Sequence, residues 1–201
     1  MAEQTKNSTV AAGESGGRKA KMRSLALDLV DKGLVTDQLV LTVGYDIENL
    51  SNPAISRNYK GEITIDRYGR SIPKHAHGTQ NLSGFTASTY EIIDSTLNLY
   101  DCIMNPELLI RRITLTANHV KKEQDVVPKE TYEQLNLFTD YAAIEKEKQE
   151  KEAKLQKEKK LQHAMLEIKK KYGKNAILKG TNFEEGATSV DRNQRIGGHK
   201  A

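Results

Sequence analysis

The chain has 201 residues, of which 29% are charged and 37% are hydrophobic, and its mean hydropathy is −0.65. A chain of this polarity cannot bury all of its segments in one core. The composition therefore predicts one small domain with extended or disordered segments. The 31 basic and 27 acidic residues give a formal charge of +4, which permits nucleic-acid binding wherever the basic residues cluster.

The sequence shows no sign of secretion or membrane insertion. No apolar run approaches the roughly 20 residues of a membrane span, and the polar N-terminus lacks the apolar core of a secretory signal. Cys102 is the single cysteine, which excludes an intrachain disulfide, and its apolar neighbours predict a buried structural thiol. A soluble cytoplasmic protein without a membrane partner is expected.

The first regular element is predicted to be an amphipathic helix. Residues 1–18 are rich in Ser, Gly, Thr and Ala, which is typical of a flexible leader. From Lys19 onward apolar residues recur at helical spacing, and Gly33 supplies a C-terminal stop. The predicted apolar face comprises Met22, Leu25, Ala26, Leu29 and Val30.

Two strands and a loop are predicted next. Residues 39–47, LVLTVGYDI, alternate so that Leu39, Leu41, Val43 and Tyr45 share one face. Residues 61–69, GEITIDRYG, predict a second strand that ends in a turn. Residues 69–88, GRSIPKHAHGTQNLSGFTAS, are predicted to form a basic loop.

A second helix and a third strand complete the predicted domain. Ser88 and Glu91 have capping-box spacing, and Pro106 lies just past the predicted helix end. The expected helix face is Ile93, Leu97, Tyr100 and Met104, flanked by Ile92, Leu99 and Ile103. Residues 108–118, LLIRRITLTAN, alternate as a strand with Ile113, Leu115 and Ala117 on its apolar face.

This order of elements predicts the fold class. Helix, strand, strand, helix and strand over residues 19–120 indicate an α+β domain, with an antiparallel sheet of three to four strands and two helices on one face. The other sheet face would carry Arg112, Thr114 and Thr116, whose donors suit a phosphate backbone. A merely solvated sheet face is the alternative interpretation of the same pattern.

The remaining residues change character. Residues 121–140 are predicted to be a linker, residues 141–172 a highly charged helix, and residues 173–201 a polar tail. In the helix, Glu147 with Lys151 and Glu150 with Lys154 have the favourable four-residue spacing. The helix lacks sustained heptads, which argues against a coiled coil. Only Leu161, Met165 and Ile168 form a short apolar stripe that could dock.

The linker contains a short motif at residues 134–138, QLNLF. Gln-Leu-x-Leu-Phe resembles the motif by which bacterial replication and repair proteins bind the sliding clamp. The resemblance implies that the Gln134 amide enters a polar subsite while Leu135, Leu137 and Phe138 enter an apolar groove. The alternative is an amphipathic lead-in to the following helix, packed on its own domain.

Several longer segments resemble one family. The stretches LALDLVDKGLVTDQLVLTVGYDI, KGEITIDRYGRSIPKHAHGTQNL and LLIRRITLTANHV are similar, in that order, to the little-finger domain of bacterial Y-family translesion DNA polymerases, the DNA polymerase IV and UmuC-like group. Residues 165–201 resemble the C-terminal extension of Firmicutes members of that group. The resemblance implies a role in DNA repair, in lesion bypass during the SOS response to DNA damage.

The same resemblance implies which residues contact DNA. A little finger grips primer-template duplex through strand backbone amides and basic side chains, independently of sequence. By position Arg112 is the first candidate for a phosphate contact, and Arg111, Lys74 and Arg70 are weaker ones.

The chain also departs from the family pattern. The carboxylates of the catalytic palm have no counterpart before Met22, so the chain is not expected to be an enzyme or to need a cofactor. Residues 1–21 stand where the family has an extra strand. A separately encoded catalytic polymerase fragment remains an open further partner.

Two other function classes stay open. His75 and His77 could contribute to a metal site, but a pair alone is half a site and no second ligand cluster is evident, so no metal is expected. A non-enzymatic scaffold organised by the charged helix is the alternative function.

Overall fold

The fold is α+β, with one long strand at the centre of an antiparallel sheet. The computed structural model describes residues 19–127, 141–178, 180–183, 189–193, 195–196 and 199–200. Their elements are, in chain order, α1 (19–31), β1 (Leu34–Tyr45), α2 (Glu48–Ser51), α3 (Pro53–Ser56), β2 (Ile63–Ile65), β3 (Ser71–Pro73), β4 (Ala76–Thr86), α4 (Thr89–Ile103), β5 (Ile110–Asn118), β6 (Lys121–Lys122), a 3-10 turn (Glu123–Asp125), α5 (Tyr141–Tyr172), a 3-10 turn (Gly180–Asn182), α6 (Ser189–Asn193), β7 (Arg195–Ile196) and β8 (His199–Lys200).

The chain divides into two compact units. Residues 36–86 and 90–120 form one, which we call the sheet unit. The other contains the described parts of residues 1–35, 87–89 and 121–201, and we call it the helical unit.

The sheet has the order β4-β1-β5, and every pairing is antiparallel. A fourth strand, β6, pairs with Leu34 and Val35 at the start of β1. Alternation along β1 buries Leu39, Leu41 and Val43 completely. The predicted α+β class with a sheet of three to four antiparallel strands is therefore confirmed.

Helix α4 covers the apolar side of this sheet. Leu99 and Tyr100 of the helix belong to the same buried cluster as Leu41 and Val43 of β1, and Leu115 packs against that cluster from β5. The buried positions of α4 are Ile92, Thr96, Leu99 and Tyr100. The core stripe is thus displaced from the predicted one, because Ile93 and Leu97 are only half-buried.

Cys102 does not belong to this core. It lies on the outward side of α4 and is exposed, as are Asp94, Asn98 and Asp101. The prediction of a buried structural thiol was wrong, because the apolar neighbours of Cys102 in sequence point to the other side of the helix.

The predicted loop at residues 69–88 is mostly strand. It contains β3 and the eleven-residue β4, which forms one edge of the main sheet. The apolar alternation that reveals a strand is weak in β4, because its inward positions include Ala76 and Gly78. Strand β2, predicted within the domain sheet, pairs only with β3 in a separate hairpin.

A buried asparagine connects the segment that follows β1 to the segment that precedes β5. The Asn49 side chain donates to the carbonyl oxygens of Asp46 (2.8 Å) and Leu109 (2.9 Å), and it accepts from the Leu109 amide (2.7 Å). Because all its polar atoms are satisfied, burial of this residue carries no unpaired-group penalty. It fixes the chain just after β1 to the chain just before β5.

In the helical unit, the predicted charged helix is confirmed as α5. Its Lys151 pairs with Glu147 at 3.0 Å, whereas within the described residues Glu150 and Lys154 form no ion pair. The deeply buried positions of α5 are polar, namely Glu158 and Gln162. Most of the short apolar stripe is exposed, since Leu161 is 56% exposed and Ile168 is 38% exposed, while Met165 is half-buried.

Several contacts of α5 are hydrogen bonds and ion pairs. Ser88 donates to a Glu158 carboxylate oxygen (2.6 Å), and the Gln162 amide donates to the carbonyl of Ala87 (3.0 Å) and to the hydroxyl of Thr89 (2.9 Å). Further ion pairs join Lys159 to Glu123 and Lys170 to Asp31. None of the helices that the structure describes combines the length and apolarity needed to cross a membrane.

Candidate nucleic-acid interface

The side of the sheet opposite α4 is a continuous polar surface, which we call the open face. The register places one residue from each of the three long strands side by side, as in the row His77, Thr42 and Thr114. The next rows are Thr79, Val40 and Thr116, then Asn81, Gln38 and Asn118, and Gly44 lies beside Arg112. None of these eleven residues is buried, and those on the edge strands are mostly exposed.

Hydrogen bonds between side chains tie the rows together. Gln38 donates to Asn81 at 2.9 Å and accepts from Asn118 at 3.1 Å, so one amide chain crosses all three strands. The Thr42 hydroxyl oxygen and the His77 Nδ1 atom lie 3.0 Å apart, within hydrogen-bond distance. The open face is therefore a preorganised array of amide, hydroxyl and imidazole groups.

The two adjacent arginines are exposed because of an irregularity in the β1-β5 pairing. Gly44 pairs with Arg112, but Tyr45 pairs with Ile110, which leaves Arg111 as an extra residue. Such a bulge interrupts the alternation of side chains along a strand. As a result Arg111 and Arg112 are both exposed, while Ile110 and Ile113 pack on the core.

The open face carries basic but no acidic side chains. None of its eleven residues is acidic, and neither Arg111 nor Arg112 forms an ion pair within the described residues. The neighbouring carboxylate, Asp37, lies 2.9 Å from His119 Nδ1. Charged and polar donors without competing acids are what a phosphate backbone requires.

The predicted DNA-binding residues fall into two places. Arg112, Thr114 and Thr116 share the open face, and Arg111 adjoins it. Lys74 and Arg70 belong to the β2-β3 hairpin region instead, and both are paired with carboxylates: Lys74 with Glu62 at 2.6 Å, and Arg70 with Asp66 at 2.7 Å.

The Asp66 carboxylate is strongly stabilised in its charged form. It accepts from the Arg70 side chain through Nε (2.9 Å) and Nη2 (2.7 Å), and also from the backbone amides of Arg70 (3.0 Å) and Tyr68 (2.8 Å). The side-chain bonds from Arg70, followed by the backbone bonds, lower the pKa of Asp66 from 3.8 to about 2. The same pairing raises the pKa of Arg70.

The two candidate histidines lie close to each other, and His77 is part of the open face. The ring centroids of His75 and His77 are 6.5 Å apart and nearly perpendicular. His77 contacts Thr42 on the open face. Throughout the described part of the chain, no three His, Cys, Asp or Glu side chains gather into a group that could hold a metal.

Most residues of the open face were not predicted from the sequence to bind DNA. Gln38, Thr42, His77, Thr79 and Asn81 were not candidates for DNA binding, and three of them, His77, Thr79 and Asn81, join the face only when β4 is recognised as a strand. The usable signal was the alternation of His77, Thr79 and Asn81 with Ala76, Gly78 and Leu82, which the polar Gln80 interrupts. The clamp-like motif at Gln134, Leu135, Leu137 and Phe138 lies outside the described residues.

Comparison of the chain with protein-family models, with curated proteins and with solved structures finds no match in any of the three.

Proposed function

We propose that this chain is a sequence-independent DNA-binding module that also binds the bacterial sliding clamp, of the kind found C-terminal to the catalytic part of Y-family translesion polymerases. The open face is the observation that carries the DNA-binding part. It is a polar surface ordered in rows, with no acidic residue among its members, and Arg112 on it and Arg111 beside it form no ion pair within the described part of the chain. Its role would be in DNA repair by lesion bypass, as a non-catalytic module.

Duplex recognition by such a surface is positional. Hydroxyl and amide groups and arginine side chains donate to phosphate oxygens, which fixes the protein on the duplex without reading its sequence. Thr114 and Thr116 on β5 and Thr79 on β4 flank the central strand, so backbone phosphates can be contacted from both edge strands. A module that must work at any DNA sequence requires this kind of contact.

Clamp binding rests on the sequence motif alone. Three apolar side chains, Leu135, Leu137 and Phe138, would contribute roughly 1.5 to 3 kcal/mol each on burial. Ordering the flexible peptide costs several kcal/mol of free energy. The net affinity expected for the clamp is therefore micromolar. The motif directly precedes α5, which begins at Tyr141.

The test is duplex binding as a function of salt concentration. Affinity for a fluorescent duplex should fall linearly on a log-log plot with a slope of about −0.9 per phosphate neutralised. A duplex of the same length and scrambled sequence should bind equally well. Salt-independent binding, or marked preference for one sequence, would contradict the proposal.

A scaffold function is the second candidate, and one observation favours it. Leu161, Ile168 and Tyr172 leave exposed apolar surface on one side of α5, at spacings of seven and four residues. Light scattering distinguishes the two functions. A dimer of wild-type protein that becomes monomeric on Leu161→Glu with Ile168→Glu, together with absent duplex binding, would favour the scaffold.

A further inference from the structure

The tip of the β2-β3 hairpin presents an aromatic ring beside two arginines. Tyr68 is 65% exposed, and the guanidinium carbons of Arg67 and Arg70 lie 4.7 Å and 5.0 Å from the centre of its ring. Both distances are within the range of cation-π attraction. An exposed ring held beside two cations is a surface with defined chemistry rather than an isolated apolar residue.

Hydrogen bonds hold the backbone of the tip in a defined turn. Asp66 accepts from the backbone amides of Tyr68 and Arg70, and the Gly69 amide donates to the Asp66 carbonyl at 3.0 Å. Gly69 has a φ of +77°, which favours glycine. The Arg70 side chain is held by the Asp66 carboxylate. A ligand would therefore meet a ring carried on a preorganised turn, which reduces the entropy lost on binding.

The surroundings of the ring are basic and partly apolar. Residues 60–74 contain four basic and two acidic residues. Within the described residues, Arg67 forms no ion pair with a carboxylate. Ile63 and Ile65 of β2 are 54% and 74% exposed. The hairpin thus combines positive charge, an aromatic face and apolar surface, the combination that single-stranded nucleic acid binds.

We propose that the β2-β3 hairpin tip is a second nucleic-acid site, at which a base of a single strand stacks on Tyr68 while Arg67 contacts the adjoining phosphate. A duplex cannot use this ring, because its bases are already stacked on each other. A single strand offers an aromatic base next to every phosphate, whereas the carboxylates of an acidic peptide do not stack on an aromatic ring in this way, so the exposed ring favours nucleic acid. The site shares its partner class with the proposed function but uses none of the open-face residues.

The sharpest test uses tryptophan fluorescence, since the chain has eight tyrosines and no tryptophan. In Tyr68→Trp the indole reports on the hairpin tip alone. A single-stranded oligodeoxythymidylate of about 12 nucleotides should quench its emission saturably. An abasic deoxyribose-phosphate strand of the same length should quench it little. Tyr90→Trp, at an exposed position on α4, is the matched control and should not respond to either strand.

Affinity measurements on the native ring give a second readout. Tyr68→Ala should weaken binding of the oligodeoxythymidylate about tenfold, while Tyr68→Phe should retain it. Duplex affinity of Tyr68→Ala should equal that of wild type, which separates this site from the open face. If wild-type protein binds no duplex yet the oligonucleotide quenches Tyr68→Trp, the open-face proposal fails and this one stands.

Three outcomes would overturn the inference. The first is equal affinity of Tyr68→Ala and wild type for the oligodeoxythymidylate. The second is equal quenching of Tyr68→Trp by the abasic strand, which would show phosphate attraction without stacking. The third is quenching by polyglutamate or by anionic phosphatidylserine vesicles but not by the oligonucleotide, which would assign the tip to an acidic peptide or a lipid surface.

Discussion

Gly78 of β4 lies directly against Leu99 of α4. A Cβ atom built on Gly78 would stand 2.8 Å from the Leu99 Cδ1 atom and 2.9 Å from the Cγ2 atom of Ile103. Real Cβ atoms do not approach other atoms so closely, so only glycine lets the helix approach the edge strand at this point. The close approach brings α4 onto the sheet that carries the open face on its other side.

Gly78→Ala should therefore destabilise the sheet unit by about 1 to 3 kcal/mol, because the stiff β-branched Ile103 must move to admit the methyl group. Thermal or urea unfolding followed by circular dichroism measures the change. Gly84→Ala is the control in the same strand, because a Cβ there meets nothing within 4 Å. Equal stability of the two variants would show that α4 lies further from β4 than described.

The hairpin tip makes a prediction about pH. The pKa of Asp66 is about 2 in the folded chain against 3.8 ordinarily, so the charged carboxylate stabilises the folded state above about pH 4. That stabilisation is lost as pH falls through about 2. A titration of the Asp66 carboxyl carbon by NMR should give a midpoint near 2 in wild type and a midpoint closer to 3.8 in Arg70→Gln.

Arg67→Gln is the matched control for that titration. Arg67 neighbours the same turn but donates to Tyr68 rather than to Asp66. Its substitution should leave the Asp66 midpoint low. An unchanged midpoint in Arg70→Gln would mean that the side-chain bonds between Arg70 and Asp66 are absent in solution.

Docking of α5 should depend on its two buried polar residues. Gln162→Ala removes the donor to the Ala87 carbonyl and the Thr89 hydroxyl and leaves those groups to find other partners. Amide hydrogen exchange should accelerate around residues 155–166 by about tenfold, which corresponds to about 1.4 kcal/mol of local opening. Gln149→Ala, at an exposed site of the same helix, should leave the rate unchanged. Equal exchange in both variants would contradict polar docking.

The apolar pattern predicted some elements well and missed others for identifiable reasons. Strand β5 and helix α5 were predicted almost to the residue, because one alternates cleanly and the other is charged throughout. Strand β4 was missed because glycine and alanine replace large apolar residues where α4 lies close. Close approach between elements is a tertiary feature, so a single strand's pattern cannot reveal it.

The candidate site could be predicted only for the residues of one strand, β5. Arg112, Thr114 and Thr116 follow from the alternation within β5, and the structure places them together. The exposure of Arg111 required knowledge of the bulge opposite Tyr45, which depends on the partner strand. The residues that β1 and β4 add to the open face likewise depend on the pairing register of these two strands. Their paired residues are about 40 positions apart in the sequence.

The clamp-binding proposal is testable with a peptide. A peptide of residues 131–141 should bind the bacterial sliding clamp with a dissociation constant on the order of micromolar, near −8 kcal/mol. Leu137→Ala with Phe138→Ala should weaken it at least about tenfold by removing both apolar anchors. Asn136→Ala, at the unspecified motif position, should bind like the unmodified peptide. No binding of the unmodified peptide at about 100 micromolar by calorimetry would make the motif a coincidence.

The salt dependence of duplex binding by arginine variants tests the central claim most directly. The account predicts that Arg112→Ala flattens the log-log slope by about one unit and that Arg111→Ala with Arg112→Ala flattens it by about two. Arg57→Ala, an exposed arginine of the same unit that lies outside the open face, should leave the slope unchanged. Equal slopes for the double variant and for Arg57→Ala would contradict the account, because the open face would then not be where the duplex is held.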